Sequence, residues 1–182
     1  MARNRKKMLS PELPIYLFVE GEKSEPVYFE LFRKELGISG LKIYPTKGKS
    51  GNALLLAAKN QIKLKNLRSD ALKCLVFDKD ALTDWELTAV FEKAETEGFK
   101  IGFSNSSFEV WLLAHFEKLT KRPTSPADGK LFKSKLTKVL NQEYKKGDYK
   151  QLEKLIANYE KRLKMLMQLV RWTLVINALR LA

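Results

Sequence analysis

Leu72-Lys-Cys-Leu-Val-Phe-Asp78-Lys-Asp80 runs from apolar residues into two carboxylates one residue apart. So short and apolar a run reads as a buried strand, and the acids that follow mark the point where the chain leaves a sheet. A second stretch upstream has the same form: Ile15-Tyr-Leu-Phe-Val-Glu20-Gly21. Carboxylates at the ends of buried strands are the usual way an α/β protein offers oxygen ligands to a hard cation such as Mg²⁺. The two stretches together predict one acidic rim.

Strand-like and helix-like periods alternate around them. Glu25 to Leu36 spaces Val27, Leu31 and Leu36 along one helical face, and Gly37 stops it. Leu41-Lys-Ile-Tyr44 alternates as a short strand before Pro45, and Ala53 to Leu67 forms a second helix with Leu54, Ala57, Ala58, Ile62 and Leu64 or Leu67 inward. Asp84 is a fair N-cap for a helix to about Glu97, closed by Gly98. Lys100 to Phe103 is a fourth strand, and Ser106 or Ser107 caps a helix reaching about Glu117. The order βαβαβαβα predicts an α/β fold, a mostly parallel sheet flanked by helices, with ligands at the carboxyl ends of its strands. Glu20, Asp78 and Ser104-Asn105 all fall at such ends.

Lys121-Arg-Pro-Thr-Ser-Pro-Ala-Asp-Gly129 is rich in turn formers and reads as a loop or linker. A helical C-terminal extension follows, from Leu131 to Leu140 and from about Tyr149 to the end. Leu152, Leu155, Ile156, Tyr159, Leu163, Leu166 and Val170 recur in it as an apolar stripe. The chain divides on this reading into a basic tail at 1–13, an α/β domain at 14–120 and a basic helical extension at 121–182.

A length of 182 residues, 45% of them hydrophobic and 30% charged, suits one domain with a real core plus an appendage. The charge balance is less ordinary: 34 basic against 21 acidic residues give a net charge of +13. From Lys118 to Lys164, 14 basic and 5 acidic residues give +9, and Arg3, Arg5, Lys6 and Lys7 open the chain. Such a surface favours polyanions, above all DNA or RNA. Cys74, the single cysteine, sits within an apolar run and reads as a core residue. Ser10-Pro11-Glu12-Leu13-Pro14 interrupts any signal-like stretch, so a cytoplasmic protein is expected. Met165 to Ala182 holds 13 apolar residues in 18, but Arg171 and Arg180 within it argue against a membrane span. A buried helix, or one covered by a partner or a second copy, is the expectation there.

The chemistry resides in few residues. Asp78 and Asp80 can project to one side where the chain turns out of the sheet. The same D-x-D spacing also occurs at solvated loops. Glu20 adds a third carboxylate, and Gly21 would permit a positive φ and a sharp turn. Glu22 and Glu25 follow, with Glu25 better placed at a helix start, where acids are favoured in any case. In Ser104-Asn-Ser-Ser-Phe-Glu109-Val-Trp111-Leu-Leu-Ala-His115-Phe, Glu109 falls in a first helical turn, a usually solvated position that becomes a candidate ligand beside an acid cluster. His115, the only histidine, reads as structural. Thr46-Lys-Gly-Lys-Ser-Gly51 is not a Walker loop, because Ile43 stands where the first glycine is required, although Lys47, Lys49 and Ser50 before a helix can touch a phosphate.

With these residues in view, the chain resembles the RloB-like family, also called AbiLii-type abortive-infection proteins, whose core looks like a Toprim domain. The resemblance rests on Val19-Glu-Gly-Glu-Lys-Ser-Glu-Pro26 with Tyr28-Phe29, on Val76-Phe-Asp-Lys-Asp80 and on Ser104 to Phe116, and covers about 14–117. It implies a Toprim-like metal-binding domain in which Glu20, Asp78 and Asp80 hold Mg²⁺ (or Mn²⁺) for phosphodiester transfer. Glu25 and Glu109 resemble the further acids of the nuclease branch. Lys23, Lys47, Lys49, Ser50, Lys79, Asn105, Lys121 and Arg122 are then the candidates for nucleic-acid or phosphate contact. The resemblance also implies phage defence and an ATPase partner encoded nearby. The chain departs from the family pattern at Asn105-Ser106, where Asn-Pro is expected. It departs again from Leu163 to Ala182, where a short polar stretch and a final Leu-Val helix are expected.

The leading expectation is therefore a metal-dependent nuclease. Val76-Phe-Asp78-Lys-Asp80 also fits a haloacid-dehalogenase-like phosphatase with an aspartate nucleophile, though that motif normally opens the first strand. A non-catalytic nucleic-acid-binding module using Lys118 to Lys164 is the third possibility.

Overall fold

The computed structural model describes residues 13–79, 82–105, 107–117 and 127–157. Four strands, β1 (Ile15–Val19), β2 (Leu41–Pro45), β3 (Leu72–Asp78) and β4 (Phe99–Ser104), form one parallel sheet in the order β2-β1-β3-β4. Between and after them come α1 (Ser24–Leu36), α2 (Gly51–Leu64), α3 (Asp84–Thr96), α4 (Phe108–Ala114), α5 (Ala127–Leu140) and α6 (Tyr149–Ile156). The α/β, parallel-sheet architecture expected from the element order is present, and it is consistent with a Toprim-like fold.

β1 and the Cys74–Phe77 stretch of β3 are apolar and buried because both faces of the sheet are covered there. Ile15, Leu17, Val19, Cys74 and Val76 point to the side of α1, α4, α5 and α6. Tyr16, Phe18, Leu75 and Phe77 point the other way, towards α2 and α3. The described part of the C-terminal extension belongs to the first of these layers: Phe132, Leu136, Leu140, Leu152, Leu155 and Ile156 lie in the same core as α1 and α4. Cys74 is fully buried, and burial pushes its thiol up to about 12, in keeping with an inert core residue.

Several details differ from the sequence pattern. In α1 the inward face is led by Tyr28, Phe29, Leu31 and Phe32, while Val27 is partly buried and Leu36 is exposed at the helix end. Leu54, Leu55 and Ala58 line the inside of α2, and Leu64 is 84% exposed. Two residues beyond Ile62, Leu64 lies about 200° around the helix from it. Partly buried Leu67, beyond the helix end, packs against that core instead. Thr83, not Asp84, caps α3: its hydroxyl accepts the Glu86 N–H at 3.3 Å while the Glu86 carboxylate accepts the Thr83 N–H at 2.8 Å. That reciprocal pair needs Glu three residues after the cap, which only Thr83 has. Helix α4 starts after Ser107 but ends at Ala114, and α5 begins inside the stretch read as a loop.

Among the described residues no helix is long and apolar enough to cross a membrane. The apolar stretch at 165–182 lies outside them. Leu136→Ala, at a fully buried position of α5, is expected to cost about 3 kcal/mol. Leu64→Ala should stay within about 0.5 kcal/mol. Denaturant midpoints compare the two, and equal effects would show that α5 contributes nothing to the core.

Candidate metal centre

The strand order creates a crevice at a defined place. From β1 the chain crosses through α1 to β2 on one side, whereas β3 pairs with β1 on the other, so the connections diverge at the carboxyl ends of β1 and β3. Glu20 follows β1 and Asp78 ends β3. Val19 is paired with Val76, the Glu20 N–H donates to the Val76 carbonyl at 2.9 Å, and the Asp78 N–H donates to Glu20 Oε2 at 3.2 Å. Asp78 continues the alternation of Cys74 and Val76 towards the α1 and α4 side. There its Oδ2 accepts the N–H of Phe108, in the first turn of α4, at 3.1 Å.

A cleft of about 370 Å³ opens over these two acids. Glu25 and Lys23 form the wall at the start of α1, Lys47 and Gly48 the β2–α2 wall, and Lys146 comes from the turn between α5 and α6. Gly21 serves the cleft differently from expectation. It is absent from the positive-φ positions, and what matters is its missing side chain: the Glu25 carboxylate occupies the place where a Cβ would stand. The left-handed residues are Lys47 (φ 59°) and Gly48 (φ 70°) instead. Their turn lets the Gly48 N–H donate to the Glu20 carbonyl at 2.8 Å, and the Thr46 hydroxyl donates to the Val19 carbonyl at 2.9 Å. The loop is thereby tied to the end of β1.

Glu109 is the largest departure from sequence reasoning. It is not solvated but 2% exposed, and its Oε1 has no hydrogen-bond partner among the described residues. Lys146 Nζ stands 3.4 Å from that oxygen. Burial pushes the Asp78 carboxyl up to about 8, reinforced by Glu25, Glu20 and Glu109 and opposed by the Phe108 N–H. Burial likewise raises Glu25, against its own backbone hydrogen bond and the charge of Lys146. Carboxyls so confined resist ionising together.

The structure brings Glu20, Glu25, Asp78 and Glu109 within electrostatic reach of one another. Among the described residues, no three of His, Cys, Asp and Glu are drawn together closely enough to hold a metal ion. Asp80, Lys121 and Arg122 lie outside the described residues. Lys23 and Lys47 line the cleft, whereas Lys79 pairs with Asp84 at 2.5 Å, and Lys49 and Asn105 are exposed. Ser50 precedes α2 with its hydroxyl buried and unbonded among the described residues. His115 is fully buried and hydrogen-bonded through Nε2 to the Tyr28 hydroxyl at 2.9 Å, a structural role as expected.

Lys146 was not a sequence candidate. Nothing in Lys145-Lys-Gly147-Asp148 marks it beyond turn residues in a basic stretch, and its target lies far back in the chain. Ser24 and Tyr144, 3.4 Å apart through their hydroxyls, were missed for the same reason.

Two expectations follow from this arrangement. The folded-state value of Asp78 lies above its unfolded value, so its protonated form stabilises the fold. That contribution is complete below about pH 4 and is lost as pH rises through about 8. In EDTA, Asp78→Asn should therefore match wild type in acid and exceed it by several kcal/mol near pH 9. A difference that does not vary with pH in thermal unfolding would contradict the raised value. Gly21→Ala should displace the Glu25 carboxylate and cost about 1–3 kcal/mol, whereas Gly129, with open space around its Cβ position, should accept alanine without loss.

No curated protein and no solved structure matches the chain. The sequence pattern of the RloB-like protein family, in contrast, matches residues 15–180, well past the 14–117 over which the motifs themselves are visible. An α/β chain with Glu20 and Asp78 at adjoining strand ends, matched over nearly all of its length, belongs to the RloB-like protein family.

Proposed function

We propose that the protein hydrolyses phosphodiester bonds of DNA or RNA with the help of Mg²⁺ or Mn²⁺, as Toprim enzymes do, and that it serves phage defence together with an ATPase encoded nearby. One observation carries this reading. Asp78 lies desolvated in a cleft lined also by Glu20 and Glu25, with the charge of Glu109 within reach, and its carboxyl is pushed up to about 8. Such crowding costs stability unless a positive charge enters, and oxygen-only donors suit a hard cation.

Glu20, Asp78 and Asp80 would hold the cation, with Glu25 and Glu109 beside them. When bound, such a cation neutralises charge on the phosphodiester and makes a water more acidic. The chain's own part is orientation. The Phe108 N–H fixes the Asp78 carboxyl, the Asp78 N–H fixes that of Glu20, and the β2–α2 loop holds the end of β1. Lys23 and Lys47 on the walls would attract the polyanion over an acidic floor. The +13 net charge supports the same substrate class.

Single- and double-stranded DNA and RNA, incubated with Mg²⁺ or Mn²⁺ with and without the neighbouring ATPase, test the reading. Cleavage should vanish in EDTA. Asp78→Asn and Glu20→Gln should each slow it at least about a hundredfold, about 2.7 kcal/mol of transition-state stabilisation. Both variants cutting at the wild-type rate would sink the site assignment, and salt-sensitive binding without cleavage under every condition would favour the non-catalytic module.

A further inference from the structure

Lys146 is the one side chain of the described extension that reaches the acidic cleft. Its backbone is fixed. Gln151, itself buried, accepts the Lys145 N–H at 2.9 Å and donates to the Glu143 carbonyl at 2.8 Å, while the Gln151 N–H donates to Asp148 at 3.0 Å. Gly147, at φ 75°, lies against Lys23 so closely that a Cβ would stand 2.8 Å from that of Lys23. The arm on this rigid base is long and 57% exposed, yet its ammonium lies 3.4 Å from a carboxylate that is 2% exposed.

That pairing bears on the proposed cation site, because an ammonium and a divalent ion on one carboxylate repel each other strongly in a partly desolvated cleft. We infer that Lys146 is a resident counter-cation that exchanges partners, pairing with Glu109 when no divalent ion is bound and with a substrate phosphate when one is. The inference rests on reading the cleft as a divalent-cation site. Three features support it. Glu109 Oε1 makes no hydrogen bond among the described residues, so Lys146 is held by charge alone. The lysine is exposed enough to swing outward without unpacking anything. Lys23 and Lys47 line the same cleft, which gives an incoming phosphate a cationic surround in which Lys146 can join. Divalent-ion binding and nucleic-acid binding then help each other, reciprocally, through one side chain.

Calcium titrated into the full-length protein by calorimetry tests this, with wild type, Lys146→Met and Lys146→Arg compared in the absence of nucleic acid. Removing the competing charge should tighten Ca²⁺ binding about tenfold in Lys146→Met, and Lys146→Arg should resemble wild type. In the presence of Ca²⁺, the salt dependence of binding to a short oligonucleotide should weaken by about one phosphate contact in Lys146→Met. A merely structural lysine would predict the opposite, weaker Ca²⁺ binding on its removal. Wild-type binding with no tightening in Lys146→Met overturns this inference alone, while no Ca²⁺ binding by any of the three overturns the cation-site reading with it. Lys146→Gln replaces the methionine variant if the latter does not fold.

Discussion

The parallel pairing of β1 with β3 is the constraint on which the rest of the molecule depends. It sets Val19 beside Val76, ends both strands at the same level and passes the next residues out of the sheet together. The crossovers on either side leave in opposite directions, so nothing of the sheet closes the gap above. Everything in the cleft is arranged relative to that pair of strand ends. Helix α1 leaves from one end and carries Glu25, the β2–α2 loop is tied to β1 through Thr46 and Gly48, and α4 presents the Phe108 N–H to Asp78.

What the pairing assembles is electrostatically uncomfortable. Four acids lie within electrostatic reach of one another, with Lys146 as the close ion-pair partner of one of them, in a protein that otherwise carries a large excess of positive charge. Folding tolerates this because the sheet is packed on both faces and the cost falls on a few groups at its edge. The basic residues of the extension have a counterpart in the same picture, since α5 and α6 pack beside α1 and α4 and their turn reaches the acids.

The strands were legible because β1 and the Cys74–Phe77 stretch of β3 are covered on both sides and so are apolar without interruption, a pattern that needs no long-range information. Glu20 and Asp78 were legible for the related reason that a carboxylate can only follow such a run where the sheet ends. The helical faces were read less well. Leu and Val spacing places Leu36 and either Leu64 or Leu67 inside, whereas the inner face of α1 is mostly aromatic and it is Leu67, not Leu64, that packs against the core. Glu109 was legible as a candidate but not as a buried one, because its burial depends on what α5 and α6 lay over it. Lys146 is invisible because it meets Glu109 only in the folded chain, and the role of Gly21 because it depends on which way the side chain of nearby Glu25 turns.

The Tyr28–His115 contact gives the molecule a built-in spectroscopic marker. With a single histidine in the chain, the imidazole contributes one set of ring resonances, and these come from the interior between α1 and α4. Those two helices carry Glu25 and Glu109. The chemical shift of one side chain therefore reports how the two acid-bearing helices sit against each other, with no assignment problem to solve.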